Sequence, residues 1–583
     1  MIGLNKIGLN QVQLNRLRLN APFPTCRKMA GGGGSSDGFP QLPGDVTRWH
    51  FGGLTNEMMA AMDDPRIEDA DHKGRFLSFK NFAWGGMSGV GGCVDNWNSS
   101  ADWDINSYWV NSHTDHKLQF IKASSVVQAR SNNIYNAENV YKNILNVNGL
   151  TEAVNKGSVK ALRIIATDPI TSKAIKTFSF ETDGVIQISF DDVLQDYYVA
   201  YFLSGNNTND IDITIEQLPL YPGALVFDGV DDCGTCNNFP ILTKEKGYTV
   251  VALRKWLTPE TKTINEVLLG NFKNNPIWIS ANLGAFQFEV KYNVSKKVQT
   301  DSFGIGNNIT LNNNHLFSYQ ISNSYNGSIL RIGSNDGGNF FTVGCGGDQF
   351  YANAAIWELV FLDHDATEEE LTKIKDYFVK TYPWLFPDQA WTVVGKTNED
   401  EDRATIANIT GNGNDLILSN FGFAEGSGYN EQGEYAGYLV TDGVDDKIVS
   451  SVFGMGKDFT VVGDWKLINT GKNDNAGIVK FDSIVIYNYN PILINIKNGR
   501  NNLIPDQNTV NAICSDGRIY SKDWKESIYN EETESTSKNL LTIGYSGNIY
   551  TKIAFKNLAI YPTVLSKEDC IKAYNYLQTL KAK

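Results

Sequence analysis

Long apolar runs are missing from this chain of 583 residues. No stretch reaches the roughly 18 apolar residues that a membrane-spanning helix needs, and the N-terminus lacks the continuous apolar segment of a secretory signal. Basic residues are also few, with 51 Lys and Arg against 65 Asp and Glu and a formal net charge of −14. Because phosphate backbones attract basic surfaces, this acidic chain is expected to have no nucleic-acid partner. The missing apolar runs predict no membrane insertion.

Cysteine is scarce as well, and its number is odd: the chain has seven. The two repeats described below share no cysteine position, whereas a disulfide framework would be expected to repeat. The sequence therefore predicts free thiols. Cys233 and Cys236 have the spacing of half a zinc site, but no second pair accompanies them, so a structural role is favoured.

Catalytic signatures are missing too. No Gly-x-Ser-x-Gly or His-Glu-x-x-His motif occurs. Residues 395–397 read Gly-Lys-Thr, like the end of a phosphate loop, but Ala390 stands where that loop needs glycine. Residues 113–116 read His-Thr-Asp-His and could offer two imidazoles to a metal, yet no third ligand is evident and a polar turn is favoured.

What the chain does contain is a long repeat. The sequence FDGVDD at 227–232 returns as TDGVDD at 441–446, a shift of 214 residues, and a Thr-Val-Val strand start follows each copy. Further pairs of matching phrases follow in the same order, at shifts of 200 and then 199 residues. Offsets that shrink smoothly indicate two diverged copies of one unit that differ by loop insertions.

Each copy is typical of β structure. Short segments rich in Val, Ile, Phe and Tyr alternate with Gly, Asn and Asp clusters, as in a sandwich or jelly roll. Each copy then ends on one amphipathic helix, for which Thr367 and Ser566 are the predicted N-caps, each before an acidic first turn. We expect this helix to close the unit by packing on the sheet.

These marks resemble the laminin-G-like group of concanavalin A-like lectin and glucanase domains. The resemblance covers residues 223–387 and 410–583 and implies an all-β modular chain with tandem jelly-roll sandwiches. The predicted domains are 223–387 and 388–583, the second with a leading linker or strand. The phrases GNGNDLILSNFGFAEGSG from Gly411 and LPLYPGALVFDGVDD from Leu218 resemble virion proteins of Bacteroidales bacteriophages, including the crAss-like group. That resemblance implies a head or tail fibre or appendage in the virion, typically a homo-oligomer such as a trimer.

Residues 1–36 differ from the rest of the chain. The first 20 residues form four pentads, MIGLN-KIGLN-QVQLN-RLRLN. Residues 1–36 carry five basic residues and no acidic residue. Four pentads are too short to bury a core alone, so we expect an arm that docks to other virion proteins or to a second copy. A disordered tail is the alternative. A Gly/Ser joint follows at 31–36.

Two segments separate this arm from the repeats. Residues 37–150 read as irregular β structure rich in Asn and Trp, with Trp84, Trp97, Trp103 and Trp109 close together. Residues 151–222 predict a smaller β-sandwich from five alternating or β-branched runs, with Asp183-Gly184 as a hairpin turn.

One group of acids could serve a glycoside hydrolase. Asp210, Asp212 and Glu216 share one face of a predicted strand, and retaining enzymes use two carboxylates about 5 Å apart. The alternating isoleucines between them already explain a strand with one wet face. We therefore predict that the protein is not an enzyme, and a capsule depolymerase remains the alternative.

The acids that repeat in both copies are candidate calcium ligands, because oxygen-rich loops can bind calcium. The alternative is that Asp-Gly forms a tight turn and the acids cap nearby amides, and this interpretation is favoured. No other cofactor is expected. The six residues are Asp228, Asp231, Asp232, Asp442, Asp445 and Asp446.

The favoured function is therefore binding to a host-surface glycan by a virion structural protein. Glycan sites combine aromatic faces with hydrogen-bonding groups, and Trp278, Tyr292, Tyr429 and Tyr487 are candidates whose exposure the sequence leaves open. A purely architectural decoration of capsid or tail is a further alternative.

Overall fold

The computed structural model describes residues 38–582 with internal gaps, and the predicted arm at 1–36 lies outside the described residues. The gaps are 106–109, 114–115, 123–126, 128, 138–139, 191–192, 206–208, 240–246, 259–264, 271–286, 295–296, 302–315, 322–340, 346–349, 431–434, 436, 469–476, 482–483, 488–491, 497–499, 505–509, 522–523, 525, 529–535 and 547–548.

The described chain is nearly all β, which confirms the predicted class. The first strands, β1–β4, are Val46–His50, Arg66–Glu68, Phe76–Lys80 and Gly89–Val90, and helix α1 is Asn56–Ala60. Strands β5–β14 are Trp103–Ile105, Val110–His113, Lys117–Lys122, Ala129–Ser131, Lys142–Asn148, Val159–Thr167, Ala174–Phe180, Gly184–Ser189, Tyr198–Gly205 and Asn209–Gln217, and helix α2 is Leu150–Asn155.

The remaining elements belong to the two repeats. Strands β15–β23 are Leu225–Asp228, Cys233–Cys236, Thr249–Trp256, Asn265–Gly270, Gln287–Val294, Lys297–Asp301, Phe317–Ile321, Phe341–Val343 and Asn353–Leu362, followed by helix α3 at Glu368–Thr381 and a 3-10 turn at Pro383–Leu385. Strands β24–β43 are Gln389–Thr392, Thr405–Ile406, Leu416–Ser419, Gly428–Asn430, Tyr438–Val440, Lys447–Ser450, Phe453–Met455, Thr460–Leu467, Gly477–Phe481, Ile484–Tyr487, Ile492–Ile496, Arg500–Ile504, Val510–Cys514, Arg518–Ser521, Glu526–Ile528, Thr536–Asn539, Thr542–Ile543, Tyr545–Ser546, Ile549–Tyr550 and Ile553–Tyr561, and helix α4 is Lys567–Gln578.

Strand pairing divides the chain differently from the boundaries suggested by the sequence. Strand β1 pairs antiparallel with β23, β4 pairs with β15, and β3 pairs with β16. Residues 38–90 therefore complete the same sandwich as residues 223–387, instead of forming an irregular region of their own. The sequence concealed this pairing because partner strands lie more than 100 residues apart.

The smaller sandwich is inserted into this first sandwich. It consists of two five-stranded sheets, ordered β11-β10-β13-β8-β5 and β12-β9-β14-β7-β6. The buried residues of its hydrophobic core come from the sequence between residues 97 and 215. We call residues 94–217 the insert. Its two ends meet, because Leu220 N donates to Gly92 O at 3.0 Å and Tyr221 N to Gly91 O at 2.8 Å.

The insert also explains why the repeat is longer than the sequence indicated. Residues 81–90, NFAWGGMSGV, match residues 420–429, NFGFAEGSGY, at a shift of 339 residues, whereas the shift after the insert is 214. The backbone agrees: Asn81 and Asn420 have φ of 65° and 69°, and Trp84 and Phe423 have 48° and 49°. We call residues 81–90 and 420–429 the serine loops, after Ser88 and Ser427.

The two closing helices are confirmed. Thr367 forms a full capping box with Glu370, and the Ser566 hydroxyl accepts a hydrogen bond from Asp569 N. Both helices pack in one core shared by the two sandwiches. Across this junction the rings of Trp384 and Tyr576 lie 6.0 Å apart. Among the described residues, no helix is long and apolar enough to cross a bilayer.

Two local predictions were wrong. Asp183-Gly184 is not a hairpin turn, because β11 pairs with β10 and β12 with β9, in different sheets. Asp183 instead caps helix α2, its Oδ1 accepting from Leu150 N at 2.6 Å. Cys233 is not a free thiol, since it forms a disulfide with Cys345; the strands that carry them become neighbours only in the folded sheet.

Candidate functional site

The repeated acids form two matching turns, at residues 228–232 and 442–446, which we call the acid turns. In the first, Asp232 Oδ1 accepts from Ser88 Oγ at 2.8 Å and Oδ2 from Asp228 N at 3.0 Å. In the second, Asp446 makes the same two contacts, at 3.1 Å to Ser427 Oγ and 2.7 Å to Asp442 N. The buried acid of each turn therefore binds the serine loop to the sheet.

The outer acids also serve the turn. Asp228 Oδ1 accepts from Val230 N at 2.8 Å, and Asp442 Oδ1 accepts from Val444 N at 2.7 Å. The asparagines that open the serine loops donate to the carbonyls of Asp231 and Asp445, each at 3.0 Å. These contacts account for the residue types without a ligand.

The buried carboxyls of the acid turns hold protons more strongly than a free aspartate does. Burial, reinforced by the neighbouring Asp228 carboxylate, raises the pKa of Asp232 to about 8. Burial likewise raises the pKa of Asp446 to about 6. One ligand oxygen from each acid of a turn lies within 4.8 Å of the others, but the inward oxygens already accept hydrogen bonds. The residues therefore fit a calcium ion poorly, and no step of the function is derived through one.

Calcium is accordingly expected to leave the thermal unfolding midpoints unchanged. Scanning calorimetry in calcium chloride and in chelator would measure this, with Asp231→Ala and Asp445→Ala as variants that remove the exposed acid of each turn. A calcium-dependent rise in the midpoint that these variants abolish would establish the site and contradict the turn interpretation.

A different feature offers space for a ligand: a groove of about 410 Å³ at one end of the insert. Its walls carry two indoles, two amides, a hydroxyl and a carboxylate. We call it the tryptophan groove, and the side chains are Trp97, Asn98, Ser100, Trp103, Asp104 and Asn132.

Local structure positions this groove. Residues 96–103 turn back on themselves, with Trp103 N donating to Ser99 O at 2.9 Å. Asn132 Nδ2 donates to Ser100 O at 3.1 Å and joins that turn to the end of β8. Both tryptophans pack on Tyr201, with ring centroids 5.8 and 5.5 Å away. The groove is therefore a rigid feature on a packed core.

Three groups in the groove are candidates for contact with a ligand. The Nε1 of Trp97 is buried and has no hydrogen-bond partner among the described residues. Asn98 and Asp104 are exposed. The site thus presents polar donors and acceptors beside two buried indoles, since Trp97 and Trp103 are only 1% and 2% exposed.

A second depression, of about 320 Å³, shares Trp103 with the groove. It lies where the insert meets the first acid turn, and Asp95, Asp102 and Asp228 line it. Burial raises the pKa of Asp95 to about 7, although Tyr141 and Asn143 donate hydrogen bonds to it.

The acids suggested for a hydrolase do not form a cleft in the described structure. Asp212 is exposed and accepts from Gln119 Nε2 at 2.9 Å. Glu216 lies 3.9 Å from His116 Nε2, whose other nitrogen lies 3.5 Å from Glu57. The side chain of Asp210 lies outside the described residues. Asp115, from the His-Thr-Asp-His candidate for a metal site, also lies outside them.

The other sequence candidates have structural roles or lie outside the described residues. Tyr429 is buried, with 3% of its surface exposed. Trp278 and the side chains of Tyr292 and Tyr487 lie outside the described residues. Lys396 of the loop-like Gly-Lys-Thr forms an ion pair with Asp402 at 2.7 Å. The sequence did not predict the groove as a site, because the cluster of tryptophans was its only indication and no polar motif accompanied it.

No protein-family model matches the sequence, and no curated protein matches it. Solved structures with a similar arrangement include the binding domain of Paraclostridial mosquitocidal protein 1, at 13% identity over 32% of this chain and 51% of that chain, with a TM-score of 0.22. Trypanosoma rangeli sialidase follows at 8% identity over 60% of each chain and a TM-score of 0.24. The chain thus spans about half to 60% of these structures. Such scores carry no functional argument, and the fold class rests on the strand pairing.

Proposed function

We propose that this protein is a structural protein of a bacteriophage virion, a head or tail fibre or appendage, and that its tryptophan groove binds a host-surface carbohydrate. The observation that carries the binding proposal is the composition of the groove: the exposed polar residues Asn98, Ser100 and Asp104 beside two buried indoles. The virion location rests on the resemblance of the sequence phrases described above.

The chemistry of the groove suits a sugar. Carbohydrates present apolar C–H faces, which pack on aromatic rings, together with hydroxyls that both donate and accept hydrogen bonds. The amide, hydroxyl and carboxylate side chains of the groove can exchange hydrogen bonds with those hydroxyls. The groove volume of about 410 Å³ lies in the usual range of small-molecule pockets, about 300–1,000 Å³.

The architecture suits display of this groove. The two sandwiches share one core, so they form a platform for the insert. Docking of residues 1–36 to other virion proteins, or assembly into a trimer, would place several grooves on one particle. Weak sites then gain avidity through effective concentration.

Purified full-length protein is expected to retain capsular polysaccharide from Bacteroidales hosts without releasing new reducing ends. Asn98→Ala and Asp104→Ala should each weaken retention by roughly five- to tenfold, the effect of one lost hydrogen bond. Asn155→Ala, an exposed position elsewhere on the insert, is the matched control. Retention that survives both groove variants would place the glycan elsewhere.

A second candidate, a capsule depolymerase, is favoured by the depression beside the groove. A carboxyl of raised pKa near a second carboxylate is the arrangement that glycosidases use for acid catalysis, and Asp95 with Asp102 has these elements. New reducing ends that disappear in Asp102→Asn would support it. If the protein neither retains polysaccharide nor releases new reducing ends, the architectural role is favoured.

A further inference from the structure

A second cleft, of about 560 Å³, lies between the insert and helix α4 of the second sandwich. We call it the junction cleft. The insert contributes two amides, the segment after it a proline, and helix α4 one face, so three parts of the chain meet around it. The residues that matter here are Asn146, Asn148, Pro219, Ile571, Lys572 and Asn575.

The matching helix of the first sandwich shows what the insert changes. Helix α3 carries Lys373 and Asp376 where α4 carries Lys572 and Asn575, at the shift of 199 residues, and both α3 side chains are exposed. On α4 the same face lies under the insert, and Asn575 is only 2% exposed. The cleft therefore exists because the insert of one repeat covers the closing helix of the other.

This covering leaves one polar atom without a partner. The Oδ1 of Asn575 is buried and accepts no hydrogen bond from any described residue. Buried polar atoms are normally satisfied, and an orphaned acceptor costs about 1–3 kcal/mol. Since Asn575 lines the junction cleft, a donor group of a molecule bound there would remove this cost.

The remaining lining indicates the class of ligand. The charges balance, with Asp183 and Glu568 against Lys567 and Lys572, and Lys572 Nζ lies 2.7 Å from Glu568. An ionic ligand therefore gains little. Asn146 and Asn148 add amides that donate and accept, while Pro219 and Ile571 supply an apolar wall.

We propose that the junction cleft is a second saccharide site, which takes a neutral pyranose unit. One hydroxyl of the sugar donates to Asn575 Oδ1, and its C–H face packs on Pro219 and Ile571. The choice of a saccharide rests on the proposed function, whereas the cleft and its orphaned oxygen do not. A sugar bound here touches the insert and the second sandwich together.

Fluorine NMR of the full-length protein labelled with fluorotryptophan tests this site, because Trp524 also lines the cleft. The Trp524 resonance is assigned with Trp524→Phe, and D-galactose, D-mannose and N-acetyl-D-glucosamine are the probes. At least one is expected to shift this resonance. Asn575→Leu should weaken that binding by roughly five- to tenfold, without lowering the unfolding midpoint, since it removes an orphaned acceptor.

Two matched variants complete the design. Asp376→Leu, at the equivalent exposed position of helix α3, should leave the shift unchanged. Asn148→Ala changes an exposed cleft residue, and it should weaken the shift even if Asn575→Leu fails to fold. No shift with any probe, or a shift unaffected by both cleft variants, overturns the proposal. Asn98→Ala should weaken polysaccharide retention by roughly five- to tenfold and leave the Trp524 shift intact, which separates this site from the tryptophan groove.

Discussion

Replacing Glu358 with alanine is expected to lower the free energy of unfolding of the first sandwich by about 3–5 kcal/mol, the usual cost of breaking a buried ion pair on one side. Glu358 is fully buried on β23. Its Oε2 lies 3.4 Å from Arg48 Nη1, and its Oε1 lies 2.6 Å from His50 Nδ1. Tyr377 and Tyr382 each donate to Oε1 at 3.1 Å.

The loss follows from what the variant leaves behind. Arg48 is 1% exposed, so it cannot reach water when its carboxylate is removed. Its other contacts include the Tyr377 hydroxyl at 3.1 Å and the Phe39 ring at 4.5 Å. Both groups are uncharged, so they do not replace the carboxylate that the variant removes.

The second repeat supplies the matched control. Asn557 stands at the position equivalent to Glu358, with Ala390 in place of Arg48. Asn557 Oδ1 is buried without a partner among the described residues. Asn557→Leu should therefore change the free energy of unfolding far less than Glu358→Ala. Chemical denaturation monitored by tryptophan fluorescence and by calorimetry measures both. Equal losses at the two positions would contradict the role given to the ion pair.

Acidification is expected to stabilise the insert, because burial raises the pKa of Asp95 from 3.8 to about 7. The folded insert then binds more protons than the unfolded chain between pH 4 and 7, so its free energy of unfolding falls as the pH rises through this window. A shift of this size corresponds to roughly 4 kcal/mol at full development.

Asp95 has this pKa because of its place in the fold. Asp95 N donates to Gln217 Oε1 at 2.8 Å, and Gln217 Nε2 donates to Asp95 O at 2.9 Å, where the two ends of the insert meet. Asn143 Nδ2 donates to the carboxyl at 2.8 Å. The bonds from Asn143 and from the Tyr141 hydroxyl favour the ionised carboxyl but do not offset its removal from water.

The Asp95→Asn variant isolates this effect, since asparagine keeps an acceptor and does not titrate. The variant is expected to unfold with a free energy that no longer falls between pH 4 and 7, and to be more stable than the wild type at neutral pH. The difference between the two proteins is the quantity to measure, because carboxyls with lowered pKa, such as Asp168 and Asp400, act in the opposite direction. Asp104→Asn, exposed on the same insert, is the control. A wild-type profile that matches that of Asp95→Asn would refute the assignment.

Local chemistry made much of the fold predictable. Thr367 and Ser566 begin the closing helices because a hydroxyl N-cap needs only the next three residues. The Asp-Gly turns at Asp228 and Asp442 and five of the ten strands of the small sandwich were predictable for the same reason, since turn residues and alternation act over a few positions. The candidate groove was only half visible, as a cluster of tryptophans without a partner surface.

The sequence by itself determined the β class, the duplication and the positions of the caps and acid turns, because each depends on neighbouring residues. Only the tertiary structure decided that β1 completes a sheet with β23, that Cys233 meets Cys345, and that the smaller sandwich is an insert. It also decided that Asp95 and Asn575 are buried. These features arise from contacts between segments that are distant in sequence, so short-range periodicity and turn chemistry carry no record of them.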